Sequence, residues 1–153
     1  MASLPGAKVY YSSPGAPNPR IVDMFALEKG IDLQSITKVL TIGKGQEDDS
    51  RAADSLKRNP AGSLPYLEMQ DGTVVAETVA LCELMEEAVP SPPLFGTSMQ
   101  DRAVTRMWQR RVEQMIVLNQ VSLRYSNSFT RSMLLQMSNA AFFTMNCAQF
   151  AAL

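Results

Sequence analysis

The chain has 153 residues, of which 46% are hydrophobic and 19% are charged, and its formal net charge at neutral pH is −1. These proportions are typical of a globular chain of about one domain, or of one domain and part of a second. The balanced charge lacks the basic surplus of nucleic-acid-binding proteins, so we expect no nucleic-acid partner. The amino-terminal residues include several prolines and no apolar run typical of a signal peptide, so we expect a cytoplasmic protein with no membrane partner.

Histidine is absent, and the two cysteines are Cys82 and Cys147. Without histidine, Ser-His-Asp catalysis, imidazole general bases and histidine-ligated metals are excluded. The cysteines stand far apart with no C-x-x-C spacing, which indicates neither a dithiol redox motif nor a zinc site. We expect two buried free thiols and no metal.

The amino-terminal part predicts a strand at residues 8–11, a turn-rich loop at 12–17 and then a helix. Asn18 is predicted to cap this helix, with Pro19 in its first turn. Gly30 is predicted to end it in the left-handed conformation. The expected buried face consists of Ile21, Val22, Phe25, Ala26 and Leu27.

A second strand is predicted over residues 33–42, which are rich in β-branched side chains. A polar loop follows, and residues 50–57 are predicted to form a short helix anchored by Leu56. The element order becomes β-α-β-α-β-β-α once the hairpin and helix described next are added.

Asp71-Gly72 lies between two strand-like runs and predicts a type I′ hairpin, in which both turn residues have positive φ. Upstream, Pro65 stands at the start of a strand, and a Leu64–Pro65 bond can be cis at a cost of about 0.5–1 kcal/mol. A cis bond would turn the Leu64 N–H and C=O outward, where an extended peptide can pair with them.

Glu77-Thr78 closes the second strand of the hairpin and opens another helix, with Thr78 as the expected N-cap. Free N–H groups at a helix start attract a carboxylate, and the neighbouring Glu77 can accept from an ammonium group. Together they suit the two ends of an amino-acid head group.

Pro and Gly are frequent in residues 90–97, which we interpret as a linker. A helix capped by Ser98 is predicted next, with an apolar stripe that includes Val104, Met107, Trp108 and Val112. The arginines of the opposite face are interpreted as a solvated face or a subunit contact. From residue 126 onward the pattern has no clean stripe and is too polar to predict a membrane span.

The combination of Asn59-Pro60, Leu64-Pro65, Asp71-Gly72 and Glu77-Thr78 resembles the glutathione-binding half of the cytosolic glutathione S-transferases. Residues 10–30 and 94–113 resemble the flanking segments of bacterial-type members, so the resemblance covers roughly residues 7–117. It implies a thioredoxin-like α/β domain at 7–89, a linker at 90–97 and a partial all-helical domain at 98–153. Family members continue through further helices, and we therefore expect a truncated second domain.

The resemblance implies a cytoplasmic detoxification enzyme, a homodimer, that conjugates reduced glutathione to small hydrophobic electrophiles. It assigns glutathione binding to Ser63, Leu64, Pro65, Glu77 and Thr78. The hydroxyl of serine-type members aligns with Ala16, and the cysteine of another class falls near Pro17. Neither can stabilise a thiolate through its side chain, so the candidate catalytic hydroxyls are those of Ser13 and Tyr11, with Ser12 behind them.

Two alternatives stay open. The helix dipole and water can stabilise the thiolate without a dedicated hydroxyl, which would fit Ala16. The chain is alternatively a glutathione-transferase-like binding module without turnover. A thiol-disulfide oxidoreductase is disfavoured because the loop at 12–17 contains no cysteine.

Overall fold

The computed structural model describes residues 1–43 and 47–117. The chain divides into two compact units, Met1–Leu94 and Phe95–Leu153. The elements of the first unit are β1 (Ala7–Ser12), α1 (Pro17–Glu28), β2 (Thr37–Val39), α2 (Ala53–Arg58), β3 (Tyr66–Met69), β4 (Val74–Ala76) and α3 (Thr78–Ala88). This order confirms the predicted β-α-β-α-β-β-α arrangement.

The four strands form one sheet in the order β2-β1-β3-β4. β2 runs parallel to β1, whereas β3 runs antiparallel to both β1 and β4. Because β1 and β2 are parallel, their connection must cross over through a helix, and α1 supplies it.

Both faces of the sheet carry buried apolar side chains. Successive residues of a strand point to opposite sides, so neighbouring residues lie in different clusters. On one face Tyr10 and Leu67 are buried, together with Val22 of α1 and Leu81 and Met85 of α3. On the other face the buried residues are Tyr11, Leu40, Leu64 and Tyr66. Full burial of a side chain of this size contributes about 1.5–3 kcal/mol, so the two clusters are the main source of stability in this unit.

The buried stripe of α1 is narrower than predicted. Pro19, Val22 and Ala26 are buried, whereas Ile21 and Leu27 are about half exposed. The buried positions follow an i, i+3, i+7 spacing, and their small side chains let the helix lie close to the sheet. Cys82 of α3 is a buried free thiol, as expected, and Cys147 lies outside the described residues.

The predicted second strand over residues 33–42 is too long at both ends, because the observed strand spans only Thr37–Val39. Asp32 accepts hydrogen bonds at Oδ1 from the N–H groups of Gln34 (2.9 Å) and Ser35 (3.4 Å), and residues 34–36 form a 3-10 turn. An aspartate that bonds to the backbone two residues ahead favours a turn over an extended strand. The strand therefore begins at Thr37.

The predicted helix over 50–57 begins three residues later and ends one residue later. The Ser50 N–H donates to the Thr41 carbonyl (2.9 Å), and Asp49 Oδ1 accepts from the Arg51 N–H (2.9 Å). These bonds keep residues 49–51 out of the helix. Ser55 is buried in place of Leu56, which is 36% exposed.

The hairpin between β3 and β4 is confirmed, but its turn is not type I′. Gly72 has φ 86°, while Asp71 is not among the described residues of positive φ. The Met69 N–H donates to the Thr73 carbonyl (2.8 Å), which closes a wider loop of three residues, 70–72. Asp71 Oδ1 accepts from the Thr73 N–H at 2.8 Å and stabilises this wider turn.

The carboxyl end of α1 is bound to α3 by a buried ion pair and to the segment after α3 by a hydrogen bond. The Lys29 side chain is fully buried, and its Nζ lies 2.6 Å from Glu86 Oε2 and 2.6 Å from the carbonyl of Pro92. Glu86 Oε2 also accepts from the Leu94 N–H (3.3 Å). A buried lysine requires such partners, because an unpaired buried charge costs several kcal/mol.

The second unit is described as far as residue 117. It contains α4 (Met99–Val112) and a π-helical turn over Glu113–Val117. Ser98 caps α4 as predicted, and it shares a reciprocal capping box with Asp101. Val104, Met107, Trp108 and Val112 of the predicted stripe are 40% or more exposed. The expectations for residues 118–153 fall outside the described residues.

Candidate functional site

Strand register brings three separate chain segments to one edge of the sheet. Tyr11 of β1 pairs with Tyr66 of β3, and Tyr66 pairs with Ala76 of β4. Because β3 is antiparallel to its neighbours, its beginning lies beside the ends of β1 and β4. The loop after β1, the Leu64–Pro65 segment and Glu77 therefore meet at the same edge, which we call the ligand edge.

The start of α1 at this edge differs from the prediction. The helix begins at Pro17, and Ala16, not Asn18, is the N-cap residue, with no side-chain capping bond. Prolines at positions 17 and 19 have no N–H, and the Arg20 N–H donates to the Ala16 carbonyl (3.2 Å). The Asn18 N–H is then the one donor of the first turn that pairs with no described residue.

Ser13 lies in the loop that leads into α1. Its carbonyl accepts from the Ala16 N–H (3.1 Å), which closes the turn before the helix, and the residue is partly exposed. Ser12 is buried, and its carbonyl accepts from the Leu40 N–H (2.8 Å). Ser13 is thus the accessible member of the serine pair.

Tyr11 is bound into the face of the sheet that carries α2. Its ring stacks on Tyr66 with centroids 4.5 Å apart, and the Arg58 guanidinium carbon lies 4.9 Å from the Tyr11 centroid. Its hydroxyl donates to Glu68 Oε2 (3.3 Å), and Glu68 pairs with Val9, farther from the ligand edge. Burial raises the pKa of Tyr11.

Glu68 also binds Lys8 Nζ, which pairs with its other carboxylate oxygen. The hydrogen bond from Lys8 lowers the pKa of Glu68, so this carboxylate remains a charged acceptor for the Tyr11 hydroxyl at neutral pH.

The Leu64–Pro65 peptide bond is cis. The Leu64 side chain is buried in the cluster with Tyr11 and Tyr66. No hydrogen bond joins the Leu64 N–H or C=O to another described residue. These two backbone groups can therefore pair with an extended ligand, as the sequence suggested.

The loop before Leu64 is held by Asn59. Asn59 Nδ2 donates to the Ser63 carbonyl (2.8 Å) and approaches the Ser63 hydroxyl (3.3 Å). Sequence reasoning used Asn59 as part of a motif but did not find this contact. The signal was the Asn-Pro pair five residues before the Leu-Pro pair, which predicts a turn that needs side-chain support.

Glu77 is the third component of the ligand edge. It is the N-cap residue of α3 and the only non-glycine among the described residues with positive φ (75°). Thr78, predicted as the N-cap, is the first residue of the helix. No side chain caps α3, and the Glu77 carbonyl accepts from the Leu81 N–H (3.0 Å). A non-glycine residue held at positive φ is uncommon and points to function, because the conformation costs about 1–3 kcal/mol.

Residues 1–43 and 47–117 contain no cluster of three or more metal-ligating side chains. Within these ranges no helix is long and apolar enough to cross a membrane. Burial raises the pKa of the Cys82 thiol to about 12, so this cysteine is not a nucleophile at neutral pH.

The fold and the ligand edge define a thioredoxin-like domain with two uncapped helix starts facing one site. Residues 16–88 match the family described as glutathione S-transferase, N-terminal domain. Over these residues the chain is similar to the glutathione S-transferase family.

Individual relatives show the same similarity. The chain is 29% identical over 121 residues to glutathione S-transferase 2 of Saccharomyces cerevisiae, a match that covers 78% of this chain and 50% of the relative. It is 33% identical over 97 residues to maleylacetoacetate isomerase of Pseudomonas aeruginosa, covering 63% and 43%. The chain thus spans about half the length of these relatives.

A solved structure shows the same fold. The crystal structure of a glutathione S-transferase domain-containing protein from Marinobacter aquaeolei superposes with a TM-score of 0.64 at 29% sequence identity. The alignment covers 72% of this chain and 52% of that protein.

Proposed function

We propose that this chain binds reduced glutathione at the ligand edge, stabilises its thiolate and transfers it to a small hydrophobic electrophile. The observation that carries the proposal is the convergence on one edge of three sets of backbone groups that pair with no described residue. These are the Asn18 N–H, the Leu64 N–H and C=O, and the first N–H groups of α3. We further propose a cytoplasmic detoxification role and a homodimer, by analogy with the family.

The start of α3 suits the γ-glutamyl end of glutathione. Its free N–H groups and partial positive charge attract the α-carboxylate, and the exposed Glu77 carboxylate can accept from the ammonium group. Thr78, the first helical residue, adds an N–H and a hydroxyl. The Leu64 backbone then pairs with the cysteinyl residue, Pro65 shapes the loop, and Ser63 supplies a polar side chain.

Thiolate stabilisation falls to the start of α1. A free thiol has a pKa near 8.5, and a decrease of about two units requires about 2.7 kcal/mol of preferential stabilisation. The Asn18 N–H, aligned with the dipole of α1, contributes one part. A hydroxyl donor contributes another, and Ser13 is favoured over Tyr11 because the Tyr11 hydroxyl donates to Glu68.

The chemical step follows from the thiolate. Glutathione loses its thiol proton to solvent, its sulfur attacks the electrophilic carbon, and a carbon–sulfur bond forms. With an aryl halide the halide leaves with the bonding electron pair, so the charge balances. The thiolate, not the thiol, is the nucleophile, so the proposed site must favour ionisation of the thiol before the electrophile reacts.

A conjugation assay tests the proposal, with a chlorinated nitrobenzene and reduced glutathione as substrates. We expect turnover above the uncatalysed rate, and a Glu77→Gln variant with at least about tenfold weaker glutathione binding, since it loses a charge-assisted hydrogen bond. Ser13→Ala should lower kcat, whereas Tyr11→Phe should change it little. Unchanged glutathione affinity in both Glu77→Gln and Pro65→Ala would show that the site is elsewhere.

The second candidate is a glutathione-binding module without turnover, which the apolar side chain of Ala16 at the N-cap of α1 favours. It predicts retention on immobilised glutathione and no conjugation. Steady turnover with the aryl halide would exclude it.

A further inference from the structure

We propose that Arg58 and Asn59, at the carboxyl end of α2, are positioning residues that hold the Leu64–Pro65 segment in its ligand-binding conformation. This inference rests on the proposed function and adds two residues, neither of which contacts the ligand. It assigns to α2 the task of fixing one backbone against which glutathione would pair.

Asn59 acts on the loop from its amino-terminal side. Its side chain is buried (5% exposed), and Nδ2 lies 2.8 Å from the Ser63 carbonyl, one residue before Leu64. The backbone of Asn59 is itself fixed, because its N–H donates to the Ser55 carbonyl (2.8 Å) and its carbonyl accepts from the Gly62 N–H (2.9 Å). The loop is thus closed onto α2 at both ends.

The tight path of this loop supports a positioning role. Gly62 has φ 62°, and a Cβ there would lie 3.2 Å from Leu56 and 3.3 Å from Arg51. A side chain at residue 62 would therefore meet both a strained backbone and occupied space. The positive φ and the close neighbours of Gly62 restrict the backbone of this loop to the path that the Asn59 side chain binds.

Arg58 acts from the other side of Pro65. Its Nε donates to the Tyr66 hydroxyl (3.4 Å), and its guanidinium lies over the Tyr11 ring, which stacks on Tyr66. A planar guanidinium makes both contacts at once, which a lysine ammonium cannot do. Two adjacent residues at the carboxyl end of α2 therefore fix the chain immediately before Leu64 and immediately after Pro65.

The test compares Asn59→Asp, which keeps the shape but replaces the Nδ2 donor by an acceptor, with the parent chain. The measurements are the glutathione Kd by calorimetry, steady-state kinetics, and amide hydrogen exchange of residues 62–66 without ligand. We expect the Kd and the KM for glutathione to rise about tenfold or more, kcat to change less than about twofold, and exchange in 62–66 to rise. The matched control is Leu33→Ala, a buried position before β2 at the opposite edge of the sheet. At a comparable loss of global stability, Leu33→Ala should change neither the glutathione Kd nor the amide exchange of residues 62–66.

Arg58→Lys is the milder second variant if Asn59→Asp does not fold. It removes the Nε donor and the planar cation from a partly exposed site, and we expect about a threefold rise in Kd. Unchanged Kd and unchanged exchange in every folded variant would overturn the inference. If the parent chain itself binds no glutathione, the proposed function fails, and hydrogen exchange alone then decides the positioning role. A rise confined to 62–66 supports that role, and no rise refutes it.

Discussion

The two ends of α1 are built in opposite ways. At the carboxyl end the Ile31 N–H donates to the Ala26 carbonyl (2.8 Å) and the Gly30 N–H to the Leu27 carbonyl (3.0 Å), which together form a Schellman motif. The fully buried Lys29 then binds Glu86 and the Pro92 carbonyl. At the amino end Ala16 provides no cap, two prolines remove donors, and the Asn18 N–H has no described partner.

This contrast separates stability from function within one helix. Carbonyl groups at the carboxyl end are satisfied inside the protein, so that end holds the helix in place. The amino end leaves a donor and the positive end of the dipole available at the ligand edge. The same sequence can build a full cap, as the Ser98 and Asp101 box of α4 shows, so the bare start of α1 is consistent with a ligand site.

The largest effect is expected at the buried carboxyl end. Lys29→Met should lower the free energy of unfolding by about 3–5 kcal/mol, because Glu86 loses its buried cation. Urea denaturation followed by circular dichroism measures this difference. Lys57→Met is the control, since its pair with Asp54 is solvent-exposed, and it should leave the midpoint nearly unchanged. Equal behaviour of the two variants would contradict a stabilising role for Lys29.

Gly30→Ala tests the Schellman motif at the same end. Gly30 has φ 69°, and a Cβ added there would meet no atom within 4 Å. The cost of the substitution therefore comes from backbone strain alone. We expect a loss of about 1–2 kcal/mol in unfolding free energy. Gly30→Asn should cost less, because asparagine tolerates positive φ better. If alanine proved as stable as glycine, the motif would not matter for stability.

Cys82 is a buried thiol, in contrast to the glutathione thiolate proposed at the amino end of α1. Its folded pKa of about 12 exceeds the ordinary value of 9.0, so its contribution is complete below pH 9 and is lost as the pH rises toward 12. Between pH 8 and 10 the parent should lose about 1 kcal/mol more than Cys82→Ala. The two stability curves, measured by urea denaturation at each pH, should therefore converge. Parallel curves would mean that the thiol is not protected by burial.

Capping the amino end of α1 should stabilise the protein and weaken its proposed stabilisation of a thiolate. Ala16→Asp offers a carboxylate to the Asn18 N–H and should raise the unfolding free energy by about 0.5–1 kcal/mol. The same charge should raise the pKa of a bound glutathione thiol by roughly one unit, because it disfavours a nearby thiolate. Ala16→Asn is the neutral match and should stabilise the protein with a smaller effect on that pKa. Ultraviolet absorbance of the bound thiolate reports the pKa in both variants.

Much of the fold was predictable from local pattern. Alternation, Gly30 and the Asp71-Gly72 pair led to the right element order because these signals act within a few residues. Two of the errors arose where a side chain bonded to nearby backbone instead. Asp32 produced a 3-10 turn and Asp49 delayed α2, and neither hydrogen bond is visible in hydrophobic periodicity.

The ligand edge was predictable in part. Leu64, Pro65 and Glu77 stood out through the motif that contains them, and strand register places them together. The separate environments of Tyr11 and Ser13 were not predictable, because the Tyr11–Tyr66 stack joins residues that are far apart in sequence. The buried state of Lys29 was likewise hidden, since its partner Glu86 lies 57 residues away.

The most direct measurement is an ultraviolet difference titration of glutathione bound to the parent chain between pH 5 and 10. If the open end of α1 stabilises a thiolate, the bound thiol should titrate about two units below its free value near 8.5. Binding with an unshifted pKa would contradict thiolate stabilisation and leave a binding module. Absence of any binding would show that the ligand edge is not a glutathione site.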